Sequence, residues 1–420
     1  MFISKYPYTV KLNISIFIDI NVNFLRQIWK SAIFPPMKTA VAVSGGIDSL
    51  YALITLKEQG HEVFALHARF IDTQNDVVPA LQKTCDFLNI PLHVVDLKND
   101  FKNEVIAPFF AFYQNAKTPN PCALCNKNMK FGKLFEKARE LGAEKLATGH
   151  YVRLANFKNN LTNDYGLCIQ CAKDNKKDQS YFLALTKIKN LQSALFPLAE
   201  KTKEQIRQEL MDKNIPVPCP KESQEICFVP NDDYRAFLLN NAEQYQFEAE
   251  HAGNVYYLDP KTQKTKKIAE HKGLWAYTEG QRKGLGIAWT EPLYVVKRNY
   301  EDNSLYVSTK GAINTKYATA DRLNFLVLPH LWAGQLYART RFREKQSPCN
   351  IYIINIQEKL EVLIDNPSNS KELEAMHAIL ENPETRLYVE FTEEKQIYAP
   401  GQILAVYDEK GFLLAGGILV

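Results

Sequence analysis

The 420-residue sequence lacks long hydrophobic runs, and no stretch of about 18 uninterrupted apolar residues offers a membrane span. Cysteine is scarce, with 8 residues, which excludes a disulfide-stabilised secreted scaffold and leaves reduced thiols for chemistry or packing. An excess of charge of one sign is also missing, because the formal net charge is only +4. Any nucleic-acid contact must therefore come from a local basic patch. These absences predict a cytoplasmic globular chain.

Length and patterning predict several domains. Between residues 38 and about 200, short apolar runs alternate with amphipathic helices, which is typical of a doubly wound parallel α/β sheet. Three prolines between Pro216 and Pro220 predict a boundary. From about Thr319, strands separated by turns predict a small antiparallel barrel or sandwich. The domains are therefore predicted as an N-terminal extension (1–36), an α/β domain (37–220), a small central α+β domain (221–312) and a C-terminal β domain (313–420).

The N-terminal extension has no role that the sequence indicates. Pro35, Pro36 and Met37 precede a clean strand start, so Met37 is an alternative first residue. The extension carries a basic excess, from Lys5, Lys11, Arg26 and Lys30 against Asp19, but it has no small-residue cleavage site of a signal peptide. We therefore expect it to lie outside the folded domains.

A glycine-rich turn follows the first apolar strand and opens a helix. Its six residues are Ser44, Gly45, Gly46, Ile47, Asp48 and Ser49. Backbone N–H groups and the helix N-terminus suit a phosphate, and a carboxylate at this place indicates Mg²⁺ between it and the phosphate. No lysine follows as in a P-loop, and the plainer alternative is a helix capped after a tight turn.

Two further sequence regions present cysteines from loops. Cys125 follows a proline-rich loop, and Cys227 follows the predicted domain boundary. The spacing of Cys122 to Cys125, repeated from Cys168 to Cys171, also occurs in zinc sites. The second pair lies in a predicted strand, where residues i and i+3 face opposite sides, so zinc is the weaker interpretation.

Taken together, the motifs resemble those of one family. They are Ser44–Ser49, 118–127 (TPNPCALCNK), 147–151 (ATGHY), 177–183 (KDQSYFL), 223–228 (SQEICF), 273–286 (GLWAYTEGQRKGLG) and 400–402 (PGQ). The chain is similar over residues 38–420 to bacterial-type tRNA-specific 2-thiouridylases, which are PP-loop ATP pyrophosphatases. The resemblance implies ATP and Mg²⁺ as cofactors, and tRNA and a persulfide-donating protein as partners.

The resemblance also implies roles for individual residues. Cys125 corresponds to the nucleophile, and Cys227 to the cysteine that carries the persulfide. The nucleotide-binding positions are Ser44, Gly45, Gly46, Ile47, Asp48, Ser49, Ala68 and Gly149. The positions for the target base and tRNA are Asn120, Pro121, Cys122, His150, Lys177, Asp178, Gln179, Arg341, Phe342 and Gln402.

One position leaves alternatives open. Many family members have aspartate where this chain has Cys122, so Cys122 is either a neutral variant or an additional thiol that pairs with Cys227.

Three arginines, Arg339, Arg341 and Arg343, alternate along a predicted strand. The alternation places their side chains on one face, opposite Phe342, and this face suits RNA phosphates.

The sequence predicts an enzyme, a tRNA-uridine 2-sulfurtransferase that adenylates O2 of the wobble uridine (position 34) in the anticodon stem-loop. Persulfide sulfur would then replace that oxygen, with release of AMP and pyrophosphate. A monomer without a membrane partner is expected. The first alternative is an amide-forming PP-loop ligase, which needs no reactive thiols. The second is an RNA-binding protein with a vestigial ATP site.

Overall fold

A computed structural model describes residues 37–72, 76–158, 165–219, 226–355, 360–361 and 370–420. Three features of the sequence reading lie outside the described residues: the N-terminal extension, residues 223–225 of the second cysteine motif, and residue 220 of the proline-rich boundary. Within the described part of the chain, no helix has both the length and the hydrophobicity that crossing a membrane would require.

The first domain contains a parallel sheet with the strand order β3-β2-β1-β4-β7. Its strands are β1 (Lys38–Ala42), β2 (Glu62–Arg69), β3 (Leu92–Asp96), β4 (Lys145–Ala147) and β7 (Ala194–Leu195). Thr39, Ala40 and Val41 of β1 are fully buried, as expected for a central strand covered on both faces. The predicted doubly wound parallel sheet is therefore confirmed.

Helices connect these strands and cover the sheet. They are α1 (Ile47–Glu58), α2 (Val78–Phe87), α3 (Lys98–Phe101), α4 (Ala107–Gln114), α5 (Pro121–Leu124), α6 (Leu134–Glu140), α7 (Ile188–Leu191) and α8 (Lys203–Asp212). Two wider π-helical stretches join α3 to α4 and α5 to α6, namely π1 (Lys102–Ile106) and π2 (Cys125–Lys133). The alternating pattern predicted amphipathic helices between the strands but gave no sign of these π-helical parts.

A hairpin, β5 (Val152–Lys158) with β6 (Tyr165–Cys171), follows β4 and leads into the region of residues 177–183. The central region then contains α9 (Tyr234–Asn240) and a four-stranded sheet with the order β10-β11-β8-β9. Its strands are β8 (Gly253–Leu258), β9 (Thr265–His271), β10 (Tyr294–Asn299) and β11 (Ser304–Ser308). Its core has Val255, Leu274 and Val295 at the centre.

The C-terminal region is a closed antiparallel barrel. Its strands are β12 (Asn314–Phe325), β13 (Leu336–Arg339), β14 (Ser347–Asn355), β16 (Thr385–Gln396), β17 (Ile403–Tyr407) and β18 (Leu413–Leu419). Pairing of β13 with both β17 and β14 closes the ring, and β15 (Leu360–Glu361) extends it beside β14. The barrel predicted from the turn spacing is confirmed, whereas helix α10 (Ser370–Glu381) was not predicted.

Candidate active site

The glycine-rich turn lies between the end of β1 and the start of α1, at the carboxyl edge of the parallel sheet. Gly45 has a φ of +88°, and a Cβ atom there would lie 2.6 Å from Val77 Cγ2, so this position requires glycine. Ser49 Oγ accepts from the Ser44 N–H at 3.2 Å and donates to the Gly46 carbonyl at 3.0 Å. The turn therefore holds its own shape and presents the N-terminus of a 12-residue helix, a site suited to phosphate.

Asp48, in the first turn of α1, forms an ion pair that the sequence did not indicate. Both of its carboxylate oxygens accept from Lys203 Nζ at 2.7 Å, and Oδ1 also accepts from the Tyr151 hydroxyl at 2.7 Å. The Lys203 side chain is only 4% exposed. Both carboxylate oxygens therefore have protein donors, so a magnesium ion that used Asp48 would have to compete with Lys203 and Tyr151 for it.

Gly149 and His150 close one side of this turn. A Cβ atom on Gly149 would lie 2.7 Å from the backbone carbonyl carbon of Asp48, so only glycine lets the two segments approach this closely. His150 is 7% exposed, and its Nδ1 lies 2.8 Å from Thr148 Oγ1. Burial lowers the pKa of His150 well below its usual 6.5, so the ring is neutral near pH 7. Ala68 lies half-buried near the end of β2, beside this edge.

The fold brings Cys122, Cys125 and Cys227 together, although Cys227 is far away in the sequence. Cys122 and Cys227 are exposed, Cys125 is half-buried, and all three are free thiols. Each is close enough to influence another: Cys227 and Cys122 both raise the pKa of Cys125, and Cys122 raises that of Cys227. Desolvation is the largest cause, and it raises the pKa of Cys125 to about 12. The resting thiol is therefore protonated at neutral pH.

Phe228 explains how Cys227 is fixed beside the first domain. Its ring is 7% exposed and packs edge-on against Phe101 of α3 at 5.7 Å and Phe109 of α4 at 5.2 Å. Phe237 of α9 completes the cluster at 5.5 Å. Because Phe228 is the next residue after Cys227, this aromatic anchor determines where the thiol lies.

The loop that precedes the first two cysteines is held from the other two regions of the chain. Gln402 of the barrel donates through Nε2 to the carbonyls of Thr118 at 3.0 Å and Pro119 at 2.9 Å. Arg298 of the central sheet donates to Thr118 Oγ1 at 3.0 Å. Asn120 caps α5, and its Nδ2 lies 3.5 Å from Gln402 Oε1. Two predicted tRNA-contacting positions, Asn120 and Gln402, are thus neighbours.

Residues 177–179, which the resemblance assigns to tRNA, lie where the first domain meets the barrel. Asp178 is 3% exposed and forms an ion pair with Arg339 at 3.0 Å. Gln179 exchanges hydrogen bonds with the Tyr151 backbone, accepting at Oε1 and donating from its own N–H. Lys177 is half-buried and also has a partner within the protein. This segment connects two domains in the structure, and its contact with tRNA stays a prediction.

The predicted row of arginines on one strand face is wrong. Strand β13 ends at Arg339, and Arg341 and Arg343 lie in the turn that follows. Arg339 points inward to Asp178, whereas Arg341 donates through Nη2 to the Ile397 carbonyl at 2.6 Å. The three guanidinium groups therefore do not form a common phosphate-binding face.

A local hydrogen-bond pattern explains why the strand ends early. The backbone N–H of Thr340 and its hydroxyl both donate to Glu344 Oε2, at 3.0 and 2.9 Å, which closes a turn. Phe342 packs within that turn against Phe182, with the ring centroids 4.3 Å apart. Side-chain bonds of this type compete with a strand and are not visible in the pattern of apolar residues.

The sequence analysis did not predict that Lys203 and Tyr151 contact Asp48. Thr202 and Gln205 form a capping box at the start of α8, and this pattern could have located the helix. Nothing in the sequence indicates that the Lys203 side chain returns to Asp48, from which it is 155 residues distant. Within the described residues, no group of three or more metal-ligating side chains occurs.

Comparison with known proteins identifies the family. The family model described as "tRNA methyl transferase HUP domain" matches residues 37–231, and the "tRNA methyl transferase PRC-barrel domain" matches residues 245–309. The tRNA-specific 2-thiouridylase MnmA of Lawsonia intracellularis is 45% identical over 91% of this chain and 99% of its own length. The protein of the same name from Persephonella marina is 35% identical over 91% of this chain and 100% of its own length. The chain therefore belongs to the tRNA-specific 2-thiouridylase family.

Proposed function

We propose that this chain is an ATP-dependent tRNA-uridine 2-sulfurtransferase that converts the wobble uridine of tRNA into 2-thiouridine. The observation that carries the proposal is the grouping of Cys125 and Cys227 beside the domain that contains the glycine-rich turn. Relatives named for this activity match nearly the whole described chain. We expect the protein to act as a monomer in the cytoplasm, where its thiols stay reduced.

The first chemical step uses the carboxyl edge of the parallel sheet. The N-terminus of α1 and the Ser44 and Ser49 hydroxyls bind the phosphates of ATP, while Gly149, which has no side chain, lets the protein backbone approach adenosine. Mg²⁺ that enters with ATP would supply positive charge to neutralise the negative charge that develops on the phosphates. Uridine O2 attacks the α-phosphate, pyrophosphate leaves, and the poor oxygen leaving group becomes AMP.

The second step uses both thiols. Cys227 receives sulfur as a persulfide from a donor protein, and the terminal sulfur attacks uridine C2 as AMP leaves. The Cys125 thiolate then attacks the inner sulfur on Cys227, which forms a Cys125–Cys227 disulfide and releases 2-thiouridine. The sulfane sulfur is reduced, the two thiols are oxidised, and an external thiol reductant restores them.

The target uridine must leave the anticodon stack to reach these groups. The proposed contacts for the base border the site. They are the neutral His150, the Asn120–Gln402 pair and the loop around Cys122. Lys177, Gln179, Arg341 and Phe342 are the proposed outer contacts for tRNA.

An assay of reaction products separates this function from the alternatives. We expect pyrophosphate release that depends on tRNA, and 2-thiouridine in digested tRNA when ATP, Mg²⁺ and a sulfide source are supplied. Pyrophosphate release that requires ammonia and not tRNA would indicate an amide-forming ligase. Tight tRNA binding without pyrophosphate release would indicate an RNA-binding protein.

The two cysteines are distinguished by single substitutions. Cys227→Ser should prevent donor sulfur from accumulating on the protein, whereas Cys125→Ser should accumulate it without turnover. Peptide mapping of the oxidised wild type should find a Cys125–Cys227 disulfide, for which the Cα atoms must approach within about 7 Å. A Cys122–Cys227 bridge would instead make Cys122 the nucleophile, and the absence of any bridge to Cys227 would reject the two-thiol mechanism.

A further inference from the structure

Lys130 is a half-buried cation without a carboxylate partner in the described part of the chain. No hydrogen bond or ion pair of its ammonium group occurs there. Lys133, three residues later, behaves as surface lysines usually do and pairs with Glu136 at 3.7 Å. Because no carboxylate neutralises it there, Lys130 is available to balance a negative charge that forms nearby.

The π-helical geometry of π2 aligns Lys130 with Cys125. π2 has the i→i+5 hydrogen-bond repeat of a π-helix, and its kink at Gly132 (φ −108°, ψ −106°) comes after Lys130. This repeat stacks residue i+5 approximately above residue i, so Lys130 lies on the same side of the helix as Cys125. In an α-helix the two positions would be about 140° apart around the axis. The rare helix type therefore places an ammonium group on the face that carries the thiol.

The electrostatic surroundings agree with this placement. Lys130 lowers the pKa of Cys122, Cys125 and Cys227, in each case against the larger effect of desolvation, which raises it. Lys130 also contributes to the lowered pKa of His150. The cation thus lies within electrostatic range of all three thiols.

Two other charged groups lie around π2. Glu104 of π1 accepts from Asn128 at 3.0 Å, and the pKa of Lys127 is lowered first by desolvation and then by the like charges of Lys187 and Arg322. Besides desolvation, the pKa of Cys125 is set by Lys130, Cys227 and Cys122. No carboxylate is among these groups.

We propose that Lys130 is a positioning residue that stabilises the thiolate of Cys125 during sulfur transfer, held over that thiol by the π-helical turn. The inference rests on the proposed function and adds a cation to its second step. Cys125 must lose its proton before it attacks the inner sulfur on Cys227, and negative charge then passes to the departing sulfur of the base. One ammonium group near both thiols compensates the charge at each stage.

The test is the alkylation rate of Cys125 by iodoacetamide between pH 7 and 10, measured by peptide mass spectrometry. Only the thiolate reacts, so the rate at fixed pH falls about tenfold for each unit by which the thiol pKa rises. Lys130→Met should slow alkylation of Cys125 about tenfold at every pH in this range, whereas Lys130→Arg should stay near the wild type. Lys133→Met, a matched change on the same helix, should have no effect.

Equal alkylation rates in wild type and Lys130→Met would overturn the proposal. Lys130→Gln provides a second neutral variant if Lys130→Met does not fold, as judged by its circular dichroism spectrum. Alkylation requires neither ATP nor tRNA, so it tests Lys130 separately from the reaction. The two proposals can fail separately. If the alkylation rate of Cys125 depends on Lys130 but the protein does not thiolate tRNA, the proposed function is rejected, whereas the effect of Lys130 on the thiol is retained.

Discussion

The phosphate-binding turn lies within the first domain, whereas the thiol site combines Cys122 and Cys125 of that domain with Cys227 of the next, and the two sites are held in place by different means. The turn owes its shape to Gly45 and to hydrogen bonds between Ser44, Gly46 and Ser49, all within six residues. The loop before Cys122 is instead held by Gln402, from the far end of the chain. Short-range hydrogen bonds thus shape the turn that we propose to bind the nucleotide. The loop beside the thiols is instead positioned by hydrogen bonds from distant parts of the chain.

This difference predicts that activation and sulfur transfer depend on the arrangement of the domains to different extents. The glycine-rich turn is held by segments of the first domain alone, since Gly149 packs against Asp48 and the Cys219 N–H donates to the Gly45 carbonyl at 2.9 Å. The thiol site forms only when the central sheet and the barrel are both present, because Arg298 and Gln402 bond to the same loop. We therefore expect sulfur delivery to depend on the arrangement of the domains more strongly than ATP binding does.

The largest expected effect comes from the Asp48–Lys203 pair. Asp48→Ala should reduce tRNA-dependent pyrophosphate release by at least about 100-fold. It should also lower the free energy of unfolding by about 3–5 kcal/mol, because the buried Lys203 side chain would lose its ion pair with Asp48. Adding Lys203→Met should recover much of the stability but none of the activity. Urea unfolding and a pyrophosphate assay measure the two effects, and recovery of activity in the double variant would show that the pair is only structural.

The Asp178–Arg339 pair tests the junction with the barrel. Arg339→Met should lower the free energy of unfolding by about 3–5 kcal/mol, since the Asp178 side chain, which is only 1% exposed, would lose the cation that it pairs with. Asp178→Asn in the same chain should restore part of the loss. Thermal unfolding checks both, and Arg343→Met, a change in the neighbouring turn, is the control. A loss no greater than that of the control would mean that the pair contributes little to docking.

Gln402→Ala should affect the thiol site more than the phosphate-binding turn. The carbonyls of Thr118 and Pro119 lose their donor, at a cost of about 1–3 kcal/mol. We expect slower formation of 2-thiouridine in single-turnover experiments, with ATP affinity almost unchanged. An equal loss in both measurements would contradict the distinction between the two regions.

The smallest expected effect concerns pH and His150. Its pKa is lower in the folded protein than in the unfolded chain, so the unfolded chain binds more protons as the pH falls below about 6.5. Stability should therefore decrease on acidification through this window. His150→Gln should make the free energy of unfolding less dependent on pH between 5 and 7. An unchanged pH dependence would show that His150 does not contribute to acid destabilisation.

The sequence was sufficient for the features that depend on local pattern. Strand alternation and the glycine turn predicted the parallel sheet and the turn at its edge, and regular turn spacing predicted the barrel. The sites that depend on distant side chains were not predictable in the same way. Lys203 reaches Asp48 through the packing of α8 beside α1, and no short motif contains both residues.

The prediction that three arginines share one strand face was wrong for a similar reason. Alternating residues predict a common face only while the strand continues, and Glu344 ends it by bonding to Thr340. The π-helical stretch π2 was equally invisible, since its residues suit an α-helix as well. Family resemblance supplied the grouping of Cys125 with Cys227, which spacing alone left open.

The junction between the first domain and the barrel limits how this chain can be divided or recombined. A Cβ atom at Gly416 of β18 would lie 2.4 Å from the Ala184 carbonyl, so the two backbones are almost in direct contact. The Tyr181 hydroxyl donates to the Ile403 carbonyl at 3.0 Å across the same boundary. A fragment that ends before the barrel would expose this surface to water along with Asp178. The barrel therefore cannot be exchanged for that of a relative as an independent module unless residues 178–184 are exchanged with it.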